Sequence, residues 1–195
     1  NDFAVVVGAP AGGSAATVDV SRGGTLISSR SVPAGTSLAI ELPMVTALQQ
    51  AGGSLFANAS SATVVGGAYE VHSDVPVVAY QFNPLHFNTT TLAYSYTNDA
   101  SLLLPEHALT GNYRVQTWNT WEYAPFVQYR GFAAITATED GTEVTITSST
   151  TTAAGTPAPL SAGESTTLTL NRGDVVQILS GSSASNDLTG TSISA

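Results

Sequence analysis

The chain has 195 residues, of which 43% are hydrophobic and only 10% are charged, so it can bury a substantial core beneath a weakly charged surface. It contains no lysine, and its formal net charge of -9 argues against nucleic-acid partners and against docking on anionic membranes. It has no cysteine, which excludes disulfides, and no apolar run reaches the roughly 20 residues of a membrane span.

Short apolar or alternating segments, separated by Gly, Pro and polar turns, predict an all-β fold of the sandwich type. In chain order the predicted strands are Phe3–Ala9, Thr17–Ser21, Thr25–Val32, Ser37–Leu42, Ala62–Val65, Tyr69–His72, Val75–Phe82, Leu92–Thr97, Ser101–Leu104, Asn112–Trp118, Thr166–Leu170, Val175–Leu179 and Thr189–Ser194. Pro43–Gln50 is the best helix candidate, since Pro fits a first helical turn and Gly52-Gly53 follows. The Thr/Ala/Pro-rich segment 148–159 is predicted to be a flexible loop.

The stretch Phe132–Thr147 is predicted to be a β-hairpin. Asp140-Gly141 at its centre is a dipeptide that two-residue type I′ turns prefer, because both central residues take positive φ. Folding there gives one apolar and one polar face, as a half-buried antiparallel ladder requires. The predicted cross-strand pairs are Ala137–Val144, Ile135–Ile146, Thr138–Glu143 and Thr136–Thr145.

Four segments recur in the same order in both halves of the chain, which predicts an internal duplication. The matched pairs are 3–6 with 132–135, 18–20 with 144–146, 34–42 with 162–170, and 68–73 with 190–195. We therefore predict two tandem β-sandwich units, residues 1–90 and 91–195, with little helix. The competing interpretation is that any two β-hairpins share such patterns.

The second unit has no counterpart of the apolar segment 74–80, which follows the segment 71–73 in the first unit. Either the native protein continues past Ala195, or the last strand comes from another chain. An unfilled sheet edge would expose hydrogen-bonding groups and invite strand addition. The start of the chain shows no signal peptide, as expected of a mature secreted protein or of a fragment.

The pattern of polar residues contains no convincing catalytic site. His72, His86 and His107 lack partners at i+2 or i+4 and lack an HExxH motif, which disfavours zinc ligation. Neither a GxSxG motif nor a GxGxxG motif after a strand occurs. Ser73 and Asp74 are adjacent on one strand beside His72, so their side chains point to opposite faces and would not form a triad. We predict that the protein is not an enzyme.

Turns rich in Asp and Asn supply the carboxylate and carbonyl oxygens that Ca²⁺ prefers. The candidate calcium ligands are Asn98, Asp99, Asp140 and Asp187. None has EF-hand spacing, and Asp and Asn are also ordinary turn residues. Apart from this ion, the sequence predicts no cofactor.

Aromatic residues are concentrated in and beside a predicted loop, Asn119–Tyr129. Aromatic side chains in a loop can form a platform for sugar rings or a contact patch for a protein. They could instead pack between the two predicted units. The candidate ligand-binding residues are Trp118, Trp121, Tyr123, Phe126 and Tyr129.

Several motifs occur together that are shared with a known family. They are AYEVHSDVPVVAYQFNPL at 68–85, NDASLLLP at 98–105, GNY at 111–113, ATEDGTEVTI at 137–146 and DLTGT at 187–191. On these motifs, nearly the whole chain resembles the IgGFc-binding protein N-terminal domain family, in a bacterial, secreted or surface variant. The resemblance implies an extracellular protein, further sequence on both sides of the chain, and no catalytic residues.

The composition, the aromatic segment and the resemblance together predict a non-enzymatic adhesion or recognition module of a secreted or cell-surface protein. Its partner would be a protein or a glycan at a cell surface, bound through the aromatic segment and the polar loop Asn83–Thr91. The alternative is a structural subunit or spacer that assembles with itself by completing an open sheet edge.

Overall fold

The computed structural model describes residues 3–49, 60–85, 89–90, 93–94, 99–124 and 127–195. These residues are almost entirely in β-strands and connecting turns, which confirms the predicted all-β fold. The strands are β1 (Phe3–Gly8), β2 (Ala16–Arg22), β3 (Thr25–Val32), β4 (Ser37–Leu42), β5 (Ala62–Val64), β6 (Tyr69–Ser73), β7 (Val78–Asn83), β8 (Thr89–Thr90), β9 (Ala93–Tyr94), β10 (Asp99–Leu102), β11 (Asn112–Arg114), β12 (Trp121–Ala124), β13 (Val127–Tyr129), β14 (Phe132–Thr136), β15 (Thr142–Thr147), β16 (Ser165–Leu170), β17 (Val175–Leu179) and β18 (Ser192–Ser194). Two short 3₁₀ helices are η1 (Thr46–Leu48) and η2 (Glu106–Ala108).

The chain divides into two compact units whose segments interleave. Unit 1 contains Asn1–Met44 and Tyr69–Leu109, and unit 2 contains Val45–Ala68 and Thr110–Ala195. Part of the first half of the sequence therefore belongs to the second unit. The predicted boundary between residues 90 and 91 rests on the internal repeat, and it stays a prediction.

Unit 1 contains two antiparallel sheets that share one core. The first has the strand order β10-β7-β1-β4, and the second has the order β3-β2-β6. Alternate apolar residues of β1 and β2, including Val5, Val7, Val18 and Val20, meet in this core. Because successive strand residues point to opposite faces, this alternation lets each sheet bury one face and leave the other in water.

Unit 2 also contains two main antiparallel sheets around one core. Their strand orders are β11-β18-β15-β16 and β14-β17-β5. Val144 and Ile146 of β15 and Val176 and Ile178 of β17 belong to the same core cluster. Strands β12 and β13 pair with each other.

The same order of strand pairing occurs in both units. In unit 1, β1 pairs with β4, and β2 pairs with β3 and β6. In unit 2, β14 pairs with β17, and β15 pairs with β16 and β18. By pairing order, β4 therefore corresponds to β17 and β3 corresponds to β16.

Three of the four segment matches join strands in equivalent positions of this order, and one does not. The matches of 3–6 with 132–135, of 18–20 with 144–146 and of 68–73 with 190–195 join strands in equivalent positions. The match of 34–42 with 162–170 joins β4 to β16, which occupy different positions. Within the match of 3–6 with 132–135, Phe3 packs against its core whereas Phe132 is 50% exposed, so this match joins equivalent strands but places opposite faces together.

The predicted hairpin between β14 and β15 is wrong. β14 pairs with β17 in one sheet, and β15 lies between β16 and β18 in the other. Ala137, Val144 and Ile146 nevertheless reach the same core. Two strands that face each other across a core need the same apolar alternation as two hairpin neighbours, so the sequence pattern alone does not distinguish these arrangements.

The turn at Asp140-Gly141 also differs from the type I′ prediction. Gly141 has φ of 70°, but none of the described residues other than glycine has positive φ. The turn is instead held by the neighbouring connection. The Asp140 Oδ1 atom accepts the N–H of Arg172 at 3.0 Å, and the Gly141 N–H donates to Asn171 Oδ1 at 3.1 Å.

The segment 148–159, predicted to be flexible, is bonded into unit 2. Ala153 is buried, and its N–H donates to the Leu179 carbonyl at 2.8 Å. Ser61 donates its N–H to Ala154, and its carbonyl accepts the N–H of Thr156. The predicted helix Pro43–Gln50 is reduced to η1, which has no buried residue and therefore no apolar face to hold a longer helix.

Candidate binding surface on an aromatic hairpin

The predicted aromatic loop contains a β-hairpin of β12 and β13. Trp121 lies opposite Tyr129, and Glu122 lies opposite Gln128. The register shifts between Glu122 and Ala124, which marks a bulge. Since neighbouring residues alternate, Trp121 and Tyr129 occupy one face of the hairpin, and Glu122 and Gln128 occupy the other.

The aromatic face carries a stacked pair. The ring centroids of Trp121 and Tyr129 are 5.6 Å apart, and the ring planes differ by 24°. Trp121 is 58% exposed and Tyr129 is 38% exposed, so the pair presents a large apolar area to solvent. On the polar face, Gln128 Nε2 donates to Glu122 Oε1 at 3.4 Å.

The start of the hairpin is anchored by Thr120, which is fully buried. Its hydroxyl lies 2.8 Å from Ser180 Oγ and donates to the Gly181 carbonyl at 2.7 Å. Its N–H donates to the Asn186 carbonyl at 2.9 Å. Three polar contacts on one buried residue hold β12 against the segment 180–186.

The end of the hairpin is held at Gly131. Its carbonyl accepts the N–H of Ser180 at 2.8 Å. A Cβ atom at Gly131 would lie 2.1 Å from the Trp118 carbonyl oxygen, so any other residue would force the backbone apart. Gly131 therefore allows the segment before β12 to approach the segment after β13. Partial burial lowers the pKa of the Arg130 guanidinium, which precedes this close approach.

A second anchor joins Thr117 to the loop at Asp187. The Asp187 Oδ1 atom accepts the Thr189 N–H at 2.8 Å and the Thr117 hydroxyl at 2.9 Å. The hydrogen bond from the Thr189 backbone holds the pKa of the Asp187 carboxyl below its ordinary value. The Thr189 hydroxyl donates to the Thr117 carbonyl at 3.0 Å.

The structure brings together part of the predicted ligand-binding set. Trp121 and Tyr129 are in contact, and Trp118 is 87% exposed at the base of the hairpin. Tyr123 contributes its backbone to β12, whereas Phe126 lies outside the described residues. Much of the polar loop 83–91 also lies outside them.

The sequence analysis missed the anchors Thr120 and Gly131. Their partners lie far away in sequence, so the chain offers little local signal for them. A single glycine directly before an apolar strand is the one feature that indicates a close backbone approach at Gly131.

The candidate calcium ligands have other partners where the structure describes them. Asp140 and Asp187 accept backbone N–H groups of Arg172 and Thr189. Asp99 begins β10, and Asn98 lies outside the described residues. Within the described residues, no group of three or more His, Asp or Glu side chains is placed to hold a metal ion. Calcium binding stays a prediction.

The histidines do not converge on a described site. His72 lies on β6 and His107 lies in η2, both exposed to solvent, while His86 lies outside the described residues. In the described part of the chain, no helix is long and apolar enough to cross a membrane.

Residues 99–195 match the family model described as IgGFc binding protein. The match covers about half of the chain, from β10 through the aromatic hairpin to the end of unit 2. Residues 99–195 therefore form an IgGFc-binding-like domain, which confirms the predicted resemblance over this range. Neither a search of curated proteins nor a search of solved structures found a match for the chain.

Proposed function

We propose that this chain is a non-enzymatic extracellular module for adhesion or recognition, and that it binds a protein partner through the Trp121–Tyr129 face of the hairpin. The anchored, exposed aromatic pair is the observation that carries the proposal. The family match supports a binding role and a protein partner. Extracellular localisation is part of the proposal, and the family match at residues 99–195 supports it.

The physical argument begins with the exposed rings. Trp and Tyr are the side chains that most often dominate binding energy, because they bury a large area and lose little conformational entropy. Here both rings are already held by stacking, and the strand that carries Trp121 begins at the buried Thr120. The partner would therefore meet a surface that needs little further ordering.

A protein partner is favoured over a glycan by the arrangement of the rings. Trp121 and Tyr129 stack on each other, so one face of each ring is covered. A sugar platform works through open ring faces, whereas a protein side chain can also pack against ring edges. With a net charge of -9, the chain would also favour a basic partner surface.

The test measures binding to an immobilised IgG Fc fragment, the partner class that the family description suggests. Trp121→Ala and Tyr129→Ala are each expected to weaken binding by about thirtyfold or more, as aromatic hot spots do. Gln128→Ala, on the opposite face of the same hairpin, is the matched control and should change affinity by less than about threefold.

A second pair of variants tests the positioning of the hairpin. Thr120→Val removes the hydroxyl that reaches Ser180 and Gly181, whereas Thr120→Ser keeps it. The first should weaken binding and the second should not. Binding to Fc that survives both aromatic substitutions would contradict the hairpin as the contact. Failure of the native chain to bind Fc would exclude this partner, and a glycan array would then test the other ligand class.

A further inference from the structure

We propose that Asp140 is the residue at which this protein forms isoaspartate, and that Asn171 and Arg172 slow this modification in the folded chain. Asp140 is the one Asp of the sequence that precedes a glycine, and no Asn precedes a glycine. The inference is independent of the recognition surface above, because it concerns the turn between β14 and β15, outside the aromatic hairpin.

The reaction joins the Asp140 side chain to the backbone nitrogen of Gly141. That nitrogen attacks the side-chain carboxyl carbon, a C–N bond forms, and the carboxyl hydroxyl leaves with the proton of the nitrogen as water. Water then opens the succinimide ring at either carbonyl carbon, which restores aspartate or leaves the chain linked through the side chain as isoaspartate. Nothing is oxidised or reduced, and water is the only co-reactant. A following glycine favours the attack, because no Cβ atom crowds the approaching carboxyl carbon.

The surroundings of the turn leave space for this ring. Asp140 and Gly141 are both exposed to solvent. Apart from its chain neighbours, no described heavy atom lies within 4 Å of a Cβ atom built at Gly141. Crowding therefore does not prevent ring closure, and any slowing must come from bonds to the reacting groups.

The reacting nitrogen is engaged in a hydrogen bond. The Gly141 N–H donates to Asn171 Oδ1 at 3.1 Å. The nitrogen must give up this proton to act as a nucleophile, and a hydrogen-bonded amide loses its proton when the bond opens. The Asn171 side chain therefore protects the nitrogen that would attack.

The carboxyl group is held by the same connection between β16 and β17. Asp140 Oδ1 accepts the Arg172 N–H at 3.0 Å. To close the ring, the carboxyl carbon has to move onto the Gly141 nitrogen, and the bond to Arg172 opposes this movement. Both reacting groups are thus bonded to neighbouring residues of one connection, and both bonds slow the reaction.

The protecting connection is itself held in place by a buried carboxylate. Asp174 is 6% exposed, and its Oδ2 atom accepts the Asn171 N–H at 2.9 Å. The Gly173 N–H donates to the Ala137 carbonyl at 2.9 Å, which joins the connection to the start of the turn. These bonds keep the Asn171 side chain beside Gly141.

Isoaspartate would disturb the packing on both sides of the turn. The modification adds a carbon atom to the backbone path and removes the side-chain carboxylate that accepts the Arg172 N–H. Ala137 and Val144, which flank the turn, are buried in the same core. A longer path between them would strain one of these contacts, so slow modification at Asp140 preserves the fold.

The experiment ages the full chain at physiological temperature and measures isoaspartate by mass spectrometry. Since the chain has no lysine, trypsin releases the segment 131–172, in which Asp140 is the one Asp. Electron-transfer fragmentation distinguishes isoaspartate from aspartate at that position. A synthetic peptide with the sequence of residues 135–146 gives the rate without the fold.

The peptide is expected to isomerise at least about thirtyfold faster than the native chain, because it lacks both hydrogen bonds. Asn171→Ala in the full chain should raise the rate about fivefold and should speed amide exchange at Gly141, from the loss of one bond. Ile135→Ala is the matched control, since it truncates a side chain of β14 and leaves both bonds of the turn in place. Its rate should stay within about twofold of the native rate.

Three results would overturn the inference. The first is isomerisation of the native chain as fast as that of the peptide, which would show that the fold gives no protection. The second is an unchanged rate in Asn171→Ala, or an equal increase in Ile135→Ala, since either would separate the protection from the Asn171 contact. The third is isoaspartate that accumulates at another residue of the aged chain and not at Asp140.

Discussion

Strand β1 of unit 1 and strand β14 of unit 2 begin the same order of pairing but have different surroundings. β1 lies between β4 and β7, and its residues Val5 and Val7 are buried. In the described part of unit 2, β14 is paired with β17 alone, and Ile135 is only partly buried. Similar local sequences therefore give a strand with two described neighbours in one unit and a strand with one described neighbour in the other.

The two units also differ at the other end of this sheet. β4 pairs with β1 and forms the end of its sheet among the described strands, whereas its counterpart β17 is also paired with β5. All five residues of β17 are buried. The comparison teaches that burial depth goes with both the strand's own sequence and its neighbours, since β17 (VVQIL) is nearly all apolar and has two neighbours, whereas β4 (SLAIEL) alternates and has one among the described strands.

The largest effect is expected from truncating matched isoleucines in this sheet. Ile178→Ala on the doubly flanked β17 should lower the free energy of unfolding by about 4 kcal/mol, because it leaves a cavity in a closed core. Ile135→Ala on β14 should lower it by only about 1–2 kcal/mol, since that site is partly open. Urea denaturation measures both. Equal losses would show that β14 is as well covered as β17.

A second prediction concerns the contact that attaches the segment carrying β5. Gly155 has φ of 136°, and a Cβ there would lie 2.0 Å from the Ser61 carbonyl oxygen. Gly155→Ala should therefore lower the free energy of unfolding by about 3 kcal/mol. Gly141→Ala is the control, since Gly141 also has positive φ but open space around it, and it should lose about 1 kcal/mol. Similar losses would show that backbone conformation alone matters at Gly155.

The smallest effect is expected from acid, through one carboxylate in each unit. The Thr17 N–H donates to Asp74 Oδ1 at 2.7 Å and holds the pKa of Asp74 below 3.8, and Thr189 does the same for Asp187. A depressed folded-state pKa stabilises the fold above about pH 4, and this contribution is lost as the pH falls through the folded pKa. Below about pH 4, the urea midpoint of the native protein should therefore decrease as the pH is lowered. It should decrease less steeply in Asp74→Asn and in Asp187→Asn. An equally steep fall of the urea midpoint with pH in all three proteins would contradict this role of the two carboxylates.

Many strands could be predicted from the sequence because their signal is local. Ser37–Leu42 and Val175–Leu179 were predicted with the bounds that the structure gives. The hairpin between β14 and β15 could not be excluded, because the apolar alternation of both strands suits either neighbours or opposite sheets. The flexible loop 148–159 was mispredicted because its hydrogen-bond partners, such as Ser61 and Leu179, lie far away in sequence.

The candidate site likewise contains residues that the sequence indicates and residues that only the structure reveals. Trp121 and Tyr129 could be selected from the sequence, since clustered aromatics near polar residues are a local feature. Their stacking depends on the register of β12 and β13. The anchors Thr120 and Gly131 depend on Ser180, which no local pattern connects to them.

The sequence by itself determined that this chain is all-β, where many of its strands lie, and which of their faces are apolar. Alternating side chains and turn-forming glycines act over a few residues, so they are visible along the chain. Only the tertiary structure decided which strands pair, why β1 has two described neighbours and β14 has one, and how the segment 45–68 joins unit 2. Those choices depend on burying apolar faces and satisfying backbone hydrogen bonds between distant segments, and local alternation is the same for every pairing that achieves this.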